Sequence, residues 1–169
     1  MSFDIFAAQE ACSLLLLLNN GVGDCRKIFQ ILYLADRKSI NEMCYDSIFG
    51  DNYIKTDYGM FPNKLYKSII SNNVKNIEFL NNELILKNDI GTDHLSDYDV
   101  EILTYLYNKY KNLSISEIAE IMNNFKENKY SEFDKYQLME ELGINKDVVK
   151  EIKDRDDHID YVTSFLKHR

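Results

Sequence analysis

The sequence predicts a mainly α fold with a small antiparallel β element (α+β), folded as one domain over residues 1–169. Three observations predict it. The 169 residues include one proline and six glycines, so little interrupts long helices. Apolar residues recur at helical spacing through most of the chain. Only one place reads clearly as two apolar strands around a turn, the region of Asn81-Asn82-Glu83. A composition of 45% hydrophobic and 28% charged residues is that of a globular chain, and this length supplies one ordinary core.

The first helix is expected from about Asp4 to Leu18. It is apolar nearly all round, so it should be deeply buried. Asn19-Asn20-Gly21-Val22-Gly23 reads as the turn that stops it. Asp24 is placed to cap a second helix running to about Cys44. Ile28, Ile31, Leu32, Ala35 and Met43 form its main face, which Phe29, Tyr33 and Ile40 widen. Residues 52–56 have strand character, and Pro62 is expected at the first position of a third helix, where its missing N–H costs nothing. Ile77–Leu80 and Leu84–Leu86 are expected to form a β-hairpin, because asparagine tolerates positive φ. Ser96-x-x-Asp99 and Ser114-x-x-Glu117 read as capping boxes that open two more helices. A further helix is expected from about Ser131 to Leu142, ending at Gly143. Asn145 should cap a last one, whose apolar stripe breaks at Asp154-Arg155-Asp156-Asp157, a solvated turn or a bend.

Charge and cysteine content narrow the function classes. The net charge is −8; residues 1–94 hold 9 basic and 12 acidic groups, and residues 95–169 hold 11 and 16. An acidic excess in both halves, with no run of Lys and Arg, disfavours a phosphate backbone and favours basic or neutral protein partners. No nucleic-acid partner is therefore expected. Cys12, Cys25 and Cys44 have no metal-ligand spacing and read as reduced structural thiols. His94, His158 and His168 are too scattered for a local metal box, and no cofactor is expected. The run Leu14–Leu18 is far short of the roughly 20 residues a bilayer span needs. No basic segment precedes it and no cleavage site follows, so a cytoplasmic protein without membrane contact is expected.

One constellation stands out between Ile28 and Ile70. It reads Leu32-Tyr33-Leu34-Ala35-Asp36-Arg37, then Gly50-Asp51-Asn52-Tyr53, then Tyr58-Gly59-Met60-Phe61-Pro62, then Tyr66. In order and spacing it resembles the Panacea domain of SocA-like antitoxins: a helix with L-Y-x-A-D, a G-D-x-Y segment, and Y-G-P-x-P opening a helix that carries a tyrosine. The resemblance spans about two-thirds of the chain and fades through the hairpin and the Leu95-Ser96 helix start. Met60 stands where the pattern has its first proline. Met122-Asn123-Asn124-Phe125 stands where members often carry Thr-His and a tryptophan. The resemblance implies a single Panacea-like helical domain that is not an enzyme and acts by binding proteins. Residues 1–94 would be its family-like core and residues 95–169 a more divergent helical half. It also implies a cognate toxin neutralised by direct contact or, as a phage-encoded counter-defence or proteolytic adaptor of the GepA-like kind, a host defence or protease component. The setting would be the cytoplasm of a bacterial or phage-infected cell.

The motif residues also have a reading of their own. Gly59 supplies a turn before the Pro62 helix. Asp36 lies on a helix that otherwise looks buried and needs a donor: Arg37, a tyrosine hydroxyl or loop amides. Asp51 is placed to bond or cap the following turn. A polar clasp of Asp36, Asp51, Tyr53 and Tyr58 between helix and loop is favoured over direct contact with a partner. Asp36, Asp46, Asp51 and Asp57 are the carboxylates that acid–base or metal chemistry would use, but no nucleophile–base pair accompanies them. Among the twelve tyrosines, Tyr107 and Tyr110 are expected in the core and Tyr105 at the surface. A protein-binding role predicts an apolar or aromatic patch left exposed, and a contact of standard size, roughly 1,200–2,000 Å². A third reading, a DNA-binding regulator, rests on a faint helix-turn-helix from Ser114 to Phe125. Glu117, Glu120 and Glu127 suit a DNA groove poorly, whatever Lys126 and Lys129 add.

Overall fold

The computed structural model describes residues 3–42 and 46–167. Met43, Cys44 and His168 lie outside the described residues. The fold is α+β, with helices surrounding two small antiparallel sheets.

Helix α1 spans Ile5–Leu18, and the Asp4 carboxylate accepts the Phe6 and Ala7 amides at its start. It ends where Asn20 takes φ +60° and the Gly21 N–H donates back to the Leu16 carbonyl (2.7 Å). The turn cluster then becomes a strand, β1 (Val22–Asp24), which pairs with β5 (Glu83–Leu86). Nothing in three residues of Val-Gly-Asp specifies this; the partner lies some 60 residues on. Helix α2 (Cys25–Glu42) follows directly, with Asp24 Oδ1 accepting the Arg26 amide. It is the centre of the core: α1 and four later elements, the strand Gly59–Pro62 and the helices Asp97–Tyr110, Ile115–Asn123 and Lys135–Glu141, pack on it. Ile28, Phe29, Ile31, Leu32, Tyr33, Ala35 and Ile40 are buried.

Strand β2 (Tyr53–Thr56) pairs with β3 (Gly59–Pro62) through a two-residue loop, Asp57-Tyr58. Pro62 ends β3 and is the residue before α3 (Asn63–Ile70), not its first residue. At an edge strand its missing N–H leaves the ladder intact. Strand β4 (Ile77–Leu80) and β5 form the expected hairpin, with Asn81 at φ +52° and Asn82 at φ +65°. Two left-handed residues in a two-residue loop are the signature of the tight turn whose twist matches the strands.

Both expected capping boxes open their helices, Ser96/Asp99 for α4 (Asp97–Tyr110) and Ser114/Glu117 for α5 (Ile115–Asn123). Tyr107 and Tyr110 are buried on α4, and Tyr105 is exposed. After a 3₁₀ turn at Lys126–Lys129 comes β6 (Glu132–Phe133), which lies on β2 opposite β3. The helix expected from Ser131 thus starts later. Asp134 caps α6 (Lys135–Glu141) through its own box with Gln137, and Gly143 follows at φ +86°.

Helix α7 (Lys146–Lys167) begins after Asn145, whose Oδ1 accepts the Asp147 amide, and runs unbroken through the aspartate cluster. Asp156 is buried there, bonded by Lys135 Nζ (2.5 Å) and the Tyr136 hydroxyl (3.1 Å). The apparent break in the stripe is therefore an internal ion pair between α6 and α7. Glu10 of α1 is also buried; it accepts the His94 amide (2.7 Å) and meets His94 Nδ1 (2.6 Å), which pins the loop before α4.

Candidate functional site

The motif residues divide between two places. The first is interior. Asp36 is fully buried on α2 and accepts the Ser47 hydroxyl (2.8 Å) and the Ile48 amide (2.5 Å). Ser47 in turn accepts the Gly50 amide, so one carboxylate organises the loop that follows α2. Burial, outweighing these donors, pushes its pKa up to about 7. Asp51, also fully buried, accepts the amides of Asn52 (2.8 Å), Lys64 (3.0 Å) and Leu65 (2.9 Å). Two of these are first-turn amides of α3. The cap position itself holds Pro62, which has no capping side chain, so Asp51 supplies the acceptor from the neighbouring loop. Asp51→Ala should lower stability by about 2–3 kcal/mol, and Asp51→Asn by clearly less, because the amide keeps one acceptor for those N–H groups. Urea titration of the three proteins measures this.

Tyr33 and Arg37 serve a different carboxylate. Tyr33 donates its hydroxyl to Glu127 Oε1 (2.6 Å), and Arg37 Nε donates to the same oxygen (2.5 Å). The Arg37 guanidinium also lies 3.8 Å from the centre of the Phe125 ring. Glu127 is 1% exposed, and its Oε2 has no hydrogen-bond partner among the described residues. Burial, reinforced by the Glu127 charge, holds the Tyr33 phenol far above its ordinary pKa. The Asp36 donors are therefore a loop amide and a serine; Arg37 and the tyrosine hydroxyl are committed elsewhere. Tyr53 belongs to this interior through its ring, in edge contact with Tyr33 (5.1 Å) and tilted on Phe133 (5.2 Å). Its hydroxyl bonds neither aspartate, so it is no member of the polar clasp.

The second place is a cleft of about 350 Å³ at the start of α2. Tyr58, Phe61, Tyr66 and Phe79 supply aromatic walls, and Arg26 and Asp57 stand at the polar side. Tyr58 is 41% exposed, with the Arg26 guanidinium 5.0 Å from its ring centre, so it too stands apart from the buried clasp. Its carbonyl is held inside: Gln30 Nε2 donates to Tyr58 O (2.6 Å) and Ile115 O (2.9 Å), joining the β2–β3 loop to α5. Gly59 follows at φ +107°, where an added Cβ would come within 2.8 Å of Met122 Sδ. Gly59→Ala should accordingly cost about 1–3 kcal/mol through left-handed strain and the displaced methionine, read as a lower melting temperature. Pro62 and Tyr66 continue from there into α3, with Tyr66 edge-on to Phe29 (5.6 Å).

Sequence reasoning brought out the motif but not its partners. Glu127, Ser47, Gln30 and Phe133 lie 11 to 100 residues from the motif side chains and carbonyls they meet. Their only local signal was a polar residue inside an apolar pattern, which Gln30 shows on α2.

Comparison with known proteins matches residues 28–129 to the family described as antitoxin SocA-like, Panacea domain. No curated protein and no solved structure gives a match. The matched segment holds all four motifs, both Asp36 and Asp51 with their loops, the aromatic cleft except Cys25 and Arg26, and Glu127. It covers more than half of the chain, and on that match the chain belongs to the SocA-like antitoxin family of Panacea domains.

Proposed function

We propose that this chain neutralises a toxin by direct protein–protein contact. One observation carries the reading beyond family membership: the motif carboxylates Asp36 and Asp51 are turned inward onto backbone amides and a serine. They fix the shape of the loops between α2 and α3, and the fold offers shaped surface to a partner. Exposed apolar side chains support the same reading; Tyr58, Leu80, Tyr105 and several α7 residues are all at least two-fifths accessible. The direct test co-expresses the chain with each gene that flanks its own, under separate promoters. A toxic neighbour whose growth arrest is relieved, and which copurifies with the chain, is the expected result. If the chain relieves arrest by no flanking gene, the antitoxin reading fails.

A further inference from the structure

The strand order β1, β5, β4 leaves β4 at an edge of its sheet. The tight Asn81-Asn82 turn makes Leu80 and Glu83 a hydrogen-bonded pair, and such pairs alternate along an antiparallel ladder. The Lys87 N–H donates to the Asn76 carbonyl (2.8 Å), in the same phase. Ile77 and Phe79 therefore turn their N–H and C=O groups away from β5. Neither backbone has a hydrogen-bond partner on that outer side among the described residues. Ile77 is buried, whereas Phe79 is half-buried and lines the aromatic cleft with Tyr58, Phe61 and Tyr66. A strand laid along β4 would set the residue opposite Phe79 on the same face, about 5 Å away and so in the cleft. Edge and cleft thus form one site: main-chain groups that pair with a strand, and an opening of about 350 Å³ for one of its side chains.

Charge selects that side chain. Arg26 and Asp57 are the charged residues that line the cleft. Arg26 gives Nε and Nη2 to the two oxygens of Asp24 (2.9 and 2.5 Å), so its charge is already answered. Asp57 is exposed, and its carboxylate has no ion pair or hydrogen bond among the described residues. The hairpin adds the Glu83 carboxylate, exposed and equally unpaired. Lys27 turns its amine to the carbonyls of Lys111 and Leu113 (2.5 and 2.8 Å), and Lys67 and Lys75 do not line the cleft. An unpaired carboxylate beside several aromatic rings favours a guanidinium or ammonium group, and the net charge of −8 acts in the same direction.

We infer that the outer edge of β4 and the cleft beside it receive an extended segment of the protein partner, with an arginine or lysine opposite Phe79. This rests on the protein-binding reading above and assigns its surface. β4 and most of the cleft lie within residues 28–129, so the contact belongs to the part of the chain that the family shares.

The test uses the full chain and a blocked heptapeptide of alternating threonine and valine with arginine at its centre. Three relatives of the peptide carry citrulline there, glutamate there, or an N-methyl group on the central amide. The arginine peptide should bind, with amide shifts at Tyr58, Tyr66 and Phe79, and each relative should bind about tenfold more weakly or worse. Equal binding of the citrulline peptide would show that charge does not choose the occupant. Equal binding of the N-methyl peptide would show that the strand edge is unused, and either result overturns the inference. Asp57→Asn should weaken the arginine peptide about tenfold, and Glu140→Gln, the same change of charge on the exposed surface of α6, should not. Equal losses in the two variants would mean attraction to the acidic body at large and would also overturn it, as would a concentration-dependent dimer that the peptide disperses. The toxin assay separates the two readings. Undiminished neutralisation by Asp57→Lys sinks the β4 site alone. Absence of any toxin rescued by the unmodified chain sinks the antitoxin reading, while peptide binding still reports on the β4 site.

Discussion

Glu127→Ala should be among the most destabilising single changes in the chain, lowering unfolding free energy by about 3–5 kcal/mol. Its carboxylate answers two donors from α2 at once, the Tyr33 hydroxyl and Arg37 Nε. Removing it leaves a buried phenol without an acceptor and a guanidinium whose remaining neighbour is the Phe125 ring. Glu127→Gln keeps an oxygen for both donors and should lose about half as much. Tyr33→Phe in the Glu127→Ala background should cost little more than Glu127→Ala alone, because the hydroxyl has then already lost its acceptor. Urea unfolding of the four proteins closes this cycle. Simple additivity of the two substitutions would show that the pair does not act as one unit.

Asp36→Asn should have a sign that depends on pH. The carboxyl is raised in the folded protein to about 7 from an ordinary value of 3.8. A group raised on folding contributes stability that is fully present below pH 3.8 and is lost as pH climbs through 7. Each unit of difference corresponds to about 1.4 kcal/mol, so the whole loss is roughly 4 kcal/mol. An asparagine at this position is neutral throughout and can accept from Ile48 N–H while donating to Ser47. The variant should therefore match the parent or fall slightly below it at pH 4, and exceed it by several kcal/mol at pH 9. Denaturation midpoints at pH 4, 7 and 9 decide the matter: parallel profiles for the two proteins would mean that Asp36 is not carrying the titration. Asp51 is also raised by burial, so the same comparison in Asp51→Asn should give a shallower version of the effect.

How far the sequence revealed this arrangement follows from the range of the forces involved. Features set by neighbours within four residues were legible. The capping boxes at Ser96 and Ser114, the Asn81-Asn82 turn and the Gly143 stop each carry their chemistry in a few adjacent side chains. Features set by distant pairing were not. β1, β3 and β6 are two to four residues long, and strand formation there depends on what lies alongside. The same holds for the site. Asp36 announced itself as a carboxylate on an apolar helix with loop amides among its possible donors, and Asp51 as a group placed to cap the following turn, but neither Ser47 nor the particular amides of Ile48, Lys64 and Leu65 could be named. Glu127 sat in a stretch of mixed charge that reads as solvated, and Asp156 in a cluster that reads as a break. Both are interior because a cation or hydroxyl from another helix meets them there.

Strand β2 lies between β3, which follows it by two residues, and β6, which arrives only at Glu132. Phe133, carried by β6, closes the aromatic cluster around Tyr33 and Tyr53. The region matched by the family stops at residue 129, short of that strand, and starts at residue 28, after α1. A fragment cut to the family limits would lack both the first helix and the last rung of this sheet. It would emerge from the ribosome with one side of β2 unzipped and its tyrosines wet, a species inclined to clump. The unit of evolutionary likeness is smaller here than the unit that folds, and expression of a trimmed domain should begin before Asp4 and continue past Phe133.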